Sequence, residues 1–191
     1  MSESHRPVDL AELVACHHAE LYRYAFRLLG RSADAEDLVQ QTFLQAQAKR
    51  EQLRDRQCAR AWLFSILRNC FQMGLRKQRR EPTRSDEADL DQVAAAPEEP
   101  IVDGELLQSA LDELQAEHKL ILMLFYFEQC SYREIAARLQ LPLGTVMSRL
   151  ARAKGHLRQK LFALDPEYPV DAVAESAPRS DGSAAARGPA P

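Results

Sequence analysis

The sequence predicts an all-α protein with two small helical domains joined by a flexible linker. Apolar residues recur at helical spacing through most of the chain. From residue 81 to 101 that spacing stops, and acids and prolines replace it, a composition that buries too little apolar surface to fold. We therefore expect domains at residues 8–80 and 102–164. Residues 165–191, rich in Ala, Pro, Ser and Gly, are expected to form a disordered tail.

The composition is typical of a soluble globular protein. Of the 191 residues, 46% are hydrophobic and 28% are charged. There is no run of about 18 apolar residues, and the amino end lacks the pattern of a signal peptide, so we expect a cytoplasmic protein without direct membrane insertion. The four cysteines form no CxxC pair, which favours reduced, mostly buried thiols. We expect no metal and no cofactor.

The net charge of −3 conceals strong segregation. Residues 49–80 hold ten basic and two acidic residues, and residues 81–117 hold one basic and twelve acidic residues. Residues 131–160 hold seven basic residues and one acidic residue. Two basic blocks separated by an acidic one indicate two contacts with anionic partners, made by two modules.

Three helices are predicted in the first domain. The first spans Asp9–Leu29, with Asp9 as cap and Glu12 completing a capping-box pattern. Ser32 is predicted to cap the second helix, which runs to about residue 47. A polar loop at Glu51–Cys58 then leads to a third helix at Ala59–Arg80, whose far end is strongly basic.

The stretch DAEDLVQQTF, residues 34–43, is predicted to present two faces. Acids at its amino end are favoured by the partial positive charge of a helix start. One buried stripe is predicted from Ala35, Leu38, Val39, Thr42 and Phe43. The acids, the two glutamines and Phe43 fit either a plain amphipathic helix or a partner-binding surface, and this stretch alone leaves both open.

The second domain ends in the spacing of a helix-turn-helix. Two helices, at residues 102–114 and 117–127, come first, and the second is expected to be largely buried. Ser131 and Glu134 form a capping box that opens a short helix, and Pro142 can start a longer basic one. An ordinary αα-hairpin is the alternative, but the exposed face favours DNA binding. That outer face offers Thr145, Ser148, Arg149, Arg152 and Lys154.

Two separate segments resemble one family, the RNA polymerase sigma factors of the extracytoplasmic-function (ECF) type. LYRYAFRLLG, DAEDLVQQTF and ARAWLFSILRNC resemble its region 2, and YREIAARL with GTVMSRLARAKGHLR resembles its region 4. The second string alone also fits response-regulator DNA-binding domains. The presence of both segments in this order is far more specific for the sigma factor family than the second string alone.

The resemblance implies a role for each segment. The region 2 helix would bind the β′ clamp helices of core polymerase through Asp34, Glu36, Asp37, Gln40, Gln41 and Phe43. Recognition and melting of the −10 element would involve Arg54, Arg56, Arg60, Trp62, Ser65, Arg68, Asn69, Arg76 and Lys77. Recognition of the −35 element would involve Thr145, Met147, Ser148, Arg149, Ala151, Arg152 and Lys154. Region 4 would also meet the β flap, and an anti-sigma factor is a further implied partner.

The chain departs from the family pattern at three positions. Met147 stands where the family often has a basic residue, which puts the −35 base specificity in question. Gln129 and Gln140 stand where the family commonly has glycine. Since side chains other than glycine resist positive φ, we expect slightly different turns there.

The resemblance implies an alternative sigma factor, which recognises promoter DNA, helps to melt it and has no enzymatic activity. One rival is a stand-alone helix-turn-helix regulator with an amino-terminal dimerisation or sensing module. A second rival is a helical enzyme, but the sequence contains no glycine-rich phosphate loop and no recognisable set of catalytic residues. A pure adaptor would leave the two basic faces unexplained.

Overall fold

The computed structural model describes residues 9–53, 55–80 and 104–166. Contacts divide the chain into two units, residues 1–99 and 100–191. All regular structure in the described residues is helical, which confirms the all-α prediction. No described helix has the length and apolar character needed to cross a membrane. The predicted linker and residues 167–191 of the predicted tail lie outside the described residues.

The first unit is a bundle of three helices around one aromatic-rich core. These are α1 (Leu10–Leu29), α2 (Ser32–Ala48) and α3 (Ala59–Arg80). Tyr24 of α1 and Phe64 of α3 are fully buried and meet edge to face, with ring centroids 5.0 Å apart. The predicted α2 stripe is confirmed, since all five of its residues are buried against this core.

The turn between α1 and α2 is built from local hydrogen bonds. The Asp9 carboxylate caps α1 by accepting a bond from the Ala11 amide, as predicted. Gly30 ends the helix with φ of 78°, a left-handed conformation that glycine adopts without strain. The prediction that Ser32 caps α2 is wrong: Arg31 occupies the cap, and the Ser32 hydroxyl instead lies 2.9 Å from the Tyr22 hydroxyl.

The segment predicted as a polar loop contains two short 3₁₀ turns, Arg50–Gln52 and Arg56–Cys58. The Asp55 carboxylate organises the second turn by accepting bonds from the Gln57 amide at 2.9 Å and the Cys58 thiol at 3.8 Å. This turn leads directly into α3, so the start of α3 is held by the loop.

The expectation of mostly buried cysteines holds for two of the four. Cys70 and Cys130 are buried, and burial raises the pKa of the Cys70 thiol. Cys16, on α1, and Cys58, at the end of the second 3₁₀ turn, are exposed. None of the four, all of which lie in the described residues, forms a disulfide bond.

The described part of the second unit, residues 104–166, contains four α-helices. These are α4 (Gly104–Asp112), α5 (Ala116–Leu122), α6 (Tyr132–Leu139) and α7 (Leu143–Leu164). A π-helical turn, Met123–Phe127, extends α5, so the predicted helix at residues 117–127 is continuous but changes its hydrogen-bond pattern near its end. The core includes the fully buried side chains Ile121, Leu124, Ile135, Val146 and Leu161.

Helices α6 and α7 form the predicted helix-turn-helix. The capping box is confirmed: the Glu134 carboxylate accepts from the Ser131 amide at 2.8 Å, and the Ser131 hydroxyl accepts from the Glu134 amide. Gln140 ends α6 with φ of 54°, and Gln129 has φ of 55°. The expectation that these glutamines would avoid positive φ is therefore wrong. In each turn the next amide donates back to the preceding helix, Leu141 to the Ala136 carbonyl and Cys130 to the Leu124 carbonyl, both at 3.0 Å, a helix-end closure that uses a left-handed residue.

Gln140→Gly should stabilise the second unit by about 1 kcal/mol, because glycine removes most of the left-handed penalty and the side chain is exposed. Gln159→Gly makes the same chemical change on the exposed face of α7, where it should destabilise by about 1 kcal/mol. Urea unfolding of both variants would check this pair. Destabilisation by both to the same extent would contradict strain at Gln140.

Candidate functional site

An exposed face of α2 carries most of the residues predicted to bind a partner. Glu36, Asp37, Gln40 and Gln41 are exposed, and Asp34 is half-buried with its carboxylate 3.7 Å from Arg31. These residues alternate with the buried stripe, so α2 cannot turn them inward without exposing its apolar side.

Phe43, predicted as part of this partner-binding set, belongs to the core. Its exposed fraction is 7%, and its ring lies parallel to that of His18 with centroids 6.4 Å apart. This placement agrees with the predicted buried stripe, and the contact of Phe43 with a partner stays a prediction. Its ring lies on the core side of α2, where it helps to hold the helix against α1.

Leu44 is the residue on this face that sequence reasoning missed. Its exposed fraction is 70%, the largest of the exposed large apolar residues. It lies seven residues after Asp37 and three after Gln41, so it continues the same exposed row. The sequence did contain a sign of this exposed apolar residue, because Leu44 lies just outside the predicted buried stripe of α2.

Two arginines predicted to contact the −10 element are held against α1. Arg56 donates to the Glu12 carboxylate at 2.7 Å, so Glu12 forms an ion pair instead of the expected capping box. Arg60 donates from Nε to both Glu20 carboxylate oxygens, at 2.9 and 3.1 Å. Its guanidinium also lies 4.9 Å from the centroid of the Phe64 ring. Both arginines are about half exposed, so α1 orients them while leaving one side open to solvent.

Arg68, on α3, is largely buried, with an exposed fraction of 7%. Its contact with DNA stays a prediction. Trp62 and Ser65 are half-buried, and the Ser65 hydroxyl donates to the Trp62 carbonyl at 2.6 Å.

The remaining residues predicted for the −10 element differ in placement. Asn69, Arg76 and Lys77 are exposed along α3. The structure therefore brings these three residues onto one helix, with Arg60 near its start. Arg54, also predicted here, lies outside the described residues.

The outer side of α7 presents most of the residues predicted for the −35 element. Met147, Ser148, Ala151 and Arg152 are exposed, and Thr145 is half-buried. The opposite side of the helix is buried as predicted, through Val146, Leu150, Ala153 and Leu157.

Two other cations of α7 are directed toward their own unit. Arg149 is half-buried and lies 3.2 Å from the Glu117 carboxylate of α5. The ammonium of Lys154 lies 4.0 Å from the centroid of the Phe125 ring, and burial, followed by the charge of Arg158, lowers its pKa. Lys154 is therefore half-buried beside the aromatic side chains of its own unit, and its contact with the −35 element stays a prediction.

A histidine pair lies at the seam between α5 and α7. The rings of His118 and His156 meet edge to face, with centroids 5.5 Å apart. The buried Nδ1 of His118 has no hydrogen-bond partner, and desolvation, followed by the nearby His156, lowers its pKa. No group of three or more potential metal ligands occurs in the part of the chain that the structure describes.

Comparison with known proteins places both units in one family. The profile of Sigma-70 region 2 matches residues 13–81, and that of Sigma-70, region 4 matches residues 104–157. Over 156 residues the chain is 38% identical to the ECF RNA polymerase sigma factor SigL of Mycobacterium tuberculosis, covering 78% of this chain and 86% of SigL. The chain belongs to the ECF RNA polymerase sigma factors. A stand-alone helix-turn-helix regulator does not account for the region 2 match.

Two further relatives of this sigma factor agree with the assignment. It is 38% identical to the ECF RNA polymerase sigma factor SigE of Mycolicibacterium smegmatis, but spans only 60% of that relative's length. It is also similar to the sigma factor RpoE of Bartonella quintana, solved in complex with the anti-sigma factor NepR. That match has a TM-score of 0.63 and 33% identity, and covers 82% of this chain and 98% of RpoE.

Phe43→Ala should destabilise the first unit by about 3–5 kcal/mol, the usual cost of truncating a buried phenylalanine. Leu44→Ala, one residue later, should change stability by no more than about 0.5 kcal/mol, because Leu44 is exposed. Thermal or urea unfolding of the two variants would separate core from surface on α2. Similar losses in both would contradict the assignment of Phe43 to the core.

Proposed function

We propose that this chain is an alternative sigma factor that binds core RNA polymerase through the exposed face of α2 and recognises promoter DNA through α3 and α7. The observation that carries the proposal is the placement of these faces. The acids and glutamines of α2 point away from the buried stripe, and exposed basic residues lie on other helices. Helices α2 and α3 lie within the segment matched to sigma region 2, and α7 begins within the segment matched to region 4, residues 104–157.

The α2 face has the composition of a protein–protein contact. Leu44 supplies an exposed apolar group, and Asp37, Gln40 and Gln41 supply polar groups around it. Acids suit a partner with basic side chains, and repel the phosphates of DNA. We therefore assign this face to core polymerase, with the β′ clamp helices as the contact that the family resemblance implies.

Residues of α3 are assigned to the −10 element. Asn69, Arg76 and Lys77 are exposed on one helix and can contact a nucleic acid backbone. Arg56 and Arg60, oriented by α1, lie at the entrance to this helix. Unstacking a base costs a few kcal/mol, which such phosphate contacts would offset.

The outer side of α7 is assigned to the major groove of the −35 element. Arg152 is exposed, and its guanidinium fork fits the two acceptors of guanine. Ser148, one turn earlier on the same side, can bond to a base edge or to a phosphate. Arg149 is occupied by Glu117, so its part is to tie α7 to α5.

The chemistry of RNA synthesis would come from the polymerase, and this chain would act as a non-catalytic, cytoplasmic specificity factor. An anti-sigma factor is a further proposed partner, supported by the similarity to a sigma factor solved with NepR. Such a partner would inhibit by covering the same core-binding and DNA-binding faces. The second unit is also proposed to contact the β flap.

Asp37→Arg should weaken co-purification with core polymerase at least about tenfold, equivalent to about 1.4 kcal/mol, because it reverses a charge on the proposed contact face. Glu51→Arg makes the same charge reversal at an exposed position of the 3₁₀ turn that follows α2, outside the proposed contact face, and core binding should persist. Circular dichroism should show both variants folded. Normal core binding by a folded Asp37→Arg variant would remove α2 from the contact.

A further inference from the structure

The outer side of α7 begins with an exposed apolar row. Leu143 is 42% exposed, Met147 is 51% exposed, and Ala151 is exposed as well. The three residues are four positions apart, so they lie in line along the first turns of the helix. The opposite side of α7 packs into the core of the unit. The three residues of the row are not among the buried residues of the helix.

The cations that flank this row are largely committed to the protein itself. Arg149 pairs with Glu117, and the Lys154 ammonium lies over the Phe125 ring. Lys160, farther along α7, pairs with Glu113. Arg152 is the exposed cation next to the row, and the structure gives it no ion pair within the described residues. The exposed side of the first turns of α7 therefore offers fewer available cations than the number of basic residues in the helix suggests.

The space around the row is open to another molecule. A Cβ atom built on Gly144, beside Leu143, would meet nothing within 4 Å. No protein neighbour therefore requires a glycine at this position. The missing side chain lets a partner approach the helix backbone closely, next to the exposed Met147.

The chemistry of the major groove identifies what this row would contact. Thymine is the base that presents a methyl group, at C5, on the major-groove edge. Resting on the proposed placement of α7 in the −35 element, we propose that Met147, with Leu143 and Ala151 beside it, reads thymine methyl groups there. Base selection at this position then depends on apolar contact, and Arg152 supplies the neighbouring polar contact.

Methionine suits this task because its side chain is flexible and polarisable. It can adapt to a methyl group whose position varies slightly between base steps. A basic residue at position 147 would instead favour the acceptors of guanine. The departure of Met147 from the basic residue common in the family thus becomes a specificity determinant of this chain.

The test removes single methyl groups from the DNA. In a synthetic promoter duplex carrying the preferred −35 element, each thymine is replaced in turn by deoxyuridine, which lacks only the C5-methyl group. Holoenzyme assembled from core polymerase and the full chain should bind one or more of these duplexes about threefold to fivefold more weakly, the scale expected for one buried methyl group.

Three variants test whether the weaker binding of deoxyuridine duplexes depends on Met147. In holoenzyme carrying Met147→Ala, the thymine and deoxyuridine duplexes should bind equally at the affected position. Met147→Leu should retain most of the difference. Met73→Ala, which truncates another exposed methionine on α3, should leave the difference unchanged.

Two results would overturn the proposal. Equal binding of every deoxyuridine duplex by the unchanged holoenzyme would exclude methyl reading, as would a difference that persists in Met147→Ala. A duplex with an unrelated −35 sequence distinguishes the two levels of failure. If it binds as well as the preferred element, the proposed −35 function fails too; if it binds more weakly, only methyl reading fails.

Discussion

Burial of one side of α2 is the constraint on which the rest of the first unit depends. Ala35, Val39 and Thr42 are almost fully buried, and the Thr42 hydroxyl donates to the Leu38 carbonyl at 2.7 Å, so the stripe contains no unsatisfied hydroxyl group. Rotating α2 to hide Asp37 would expose this stripe to water. The packing of α2 against α1 and α3 therefore also fixes the face that is proposed to bind core polymerase.

In the second unit, several of the basic residues counted in the sequence interact with other side chains of the same unit. Residues 131–160 contain seven cations, but Arg138 and Arg149 pair with Glu128 and Glu117, and Lys154 lies over Phe125. These interactions connect α6 and α7 to the preceding helical segment. They hold the helix-turn-helix together while leaving Arg152 and the apolar row around Met147 on the outer side. Cations that are counted as DNA contacts from sequence can thus be structural.

The helices and the broad faces were predictable because they depend on periodicity and local caps. The bounds of α3 and the end of α7, the α2 stripe and the Ser131 capping box all follow from such signals. Burial of Arg68 was not, because it lies at the edge of an amphipathic pattern where tertiary neighbours decide exposure. The left-handed φ of Gln140 accompanies the bond from the Leu141 amide back to the Ala136 carbonyl, a closure of the helix end that overrides the local preference of glutamine.

Transcription in vitro from a library of randomised promoters, using purified core polymerase with and without this chain, tests the central claim most directly. The account predicts initiation that depends on the added chain, with selected templates sharing one −35 and one −10 motif at a fixed spacing. Selection of a palindromic site bound by the chain alone, without promoter-specific initiation, would contradict it.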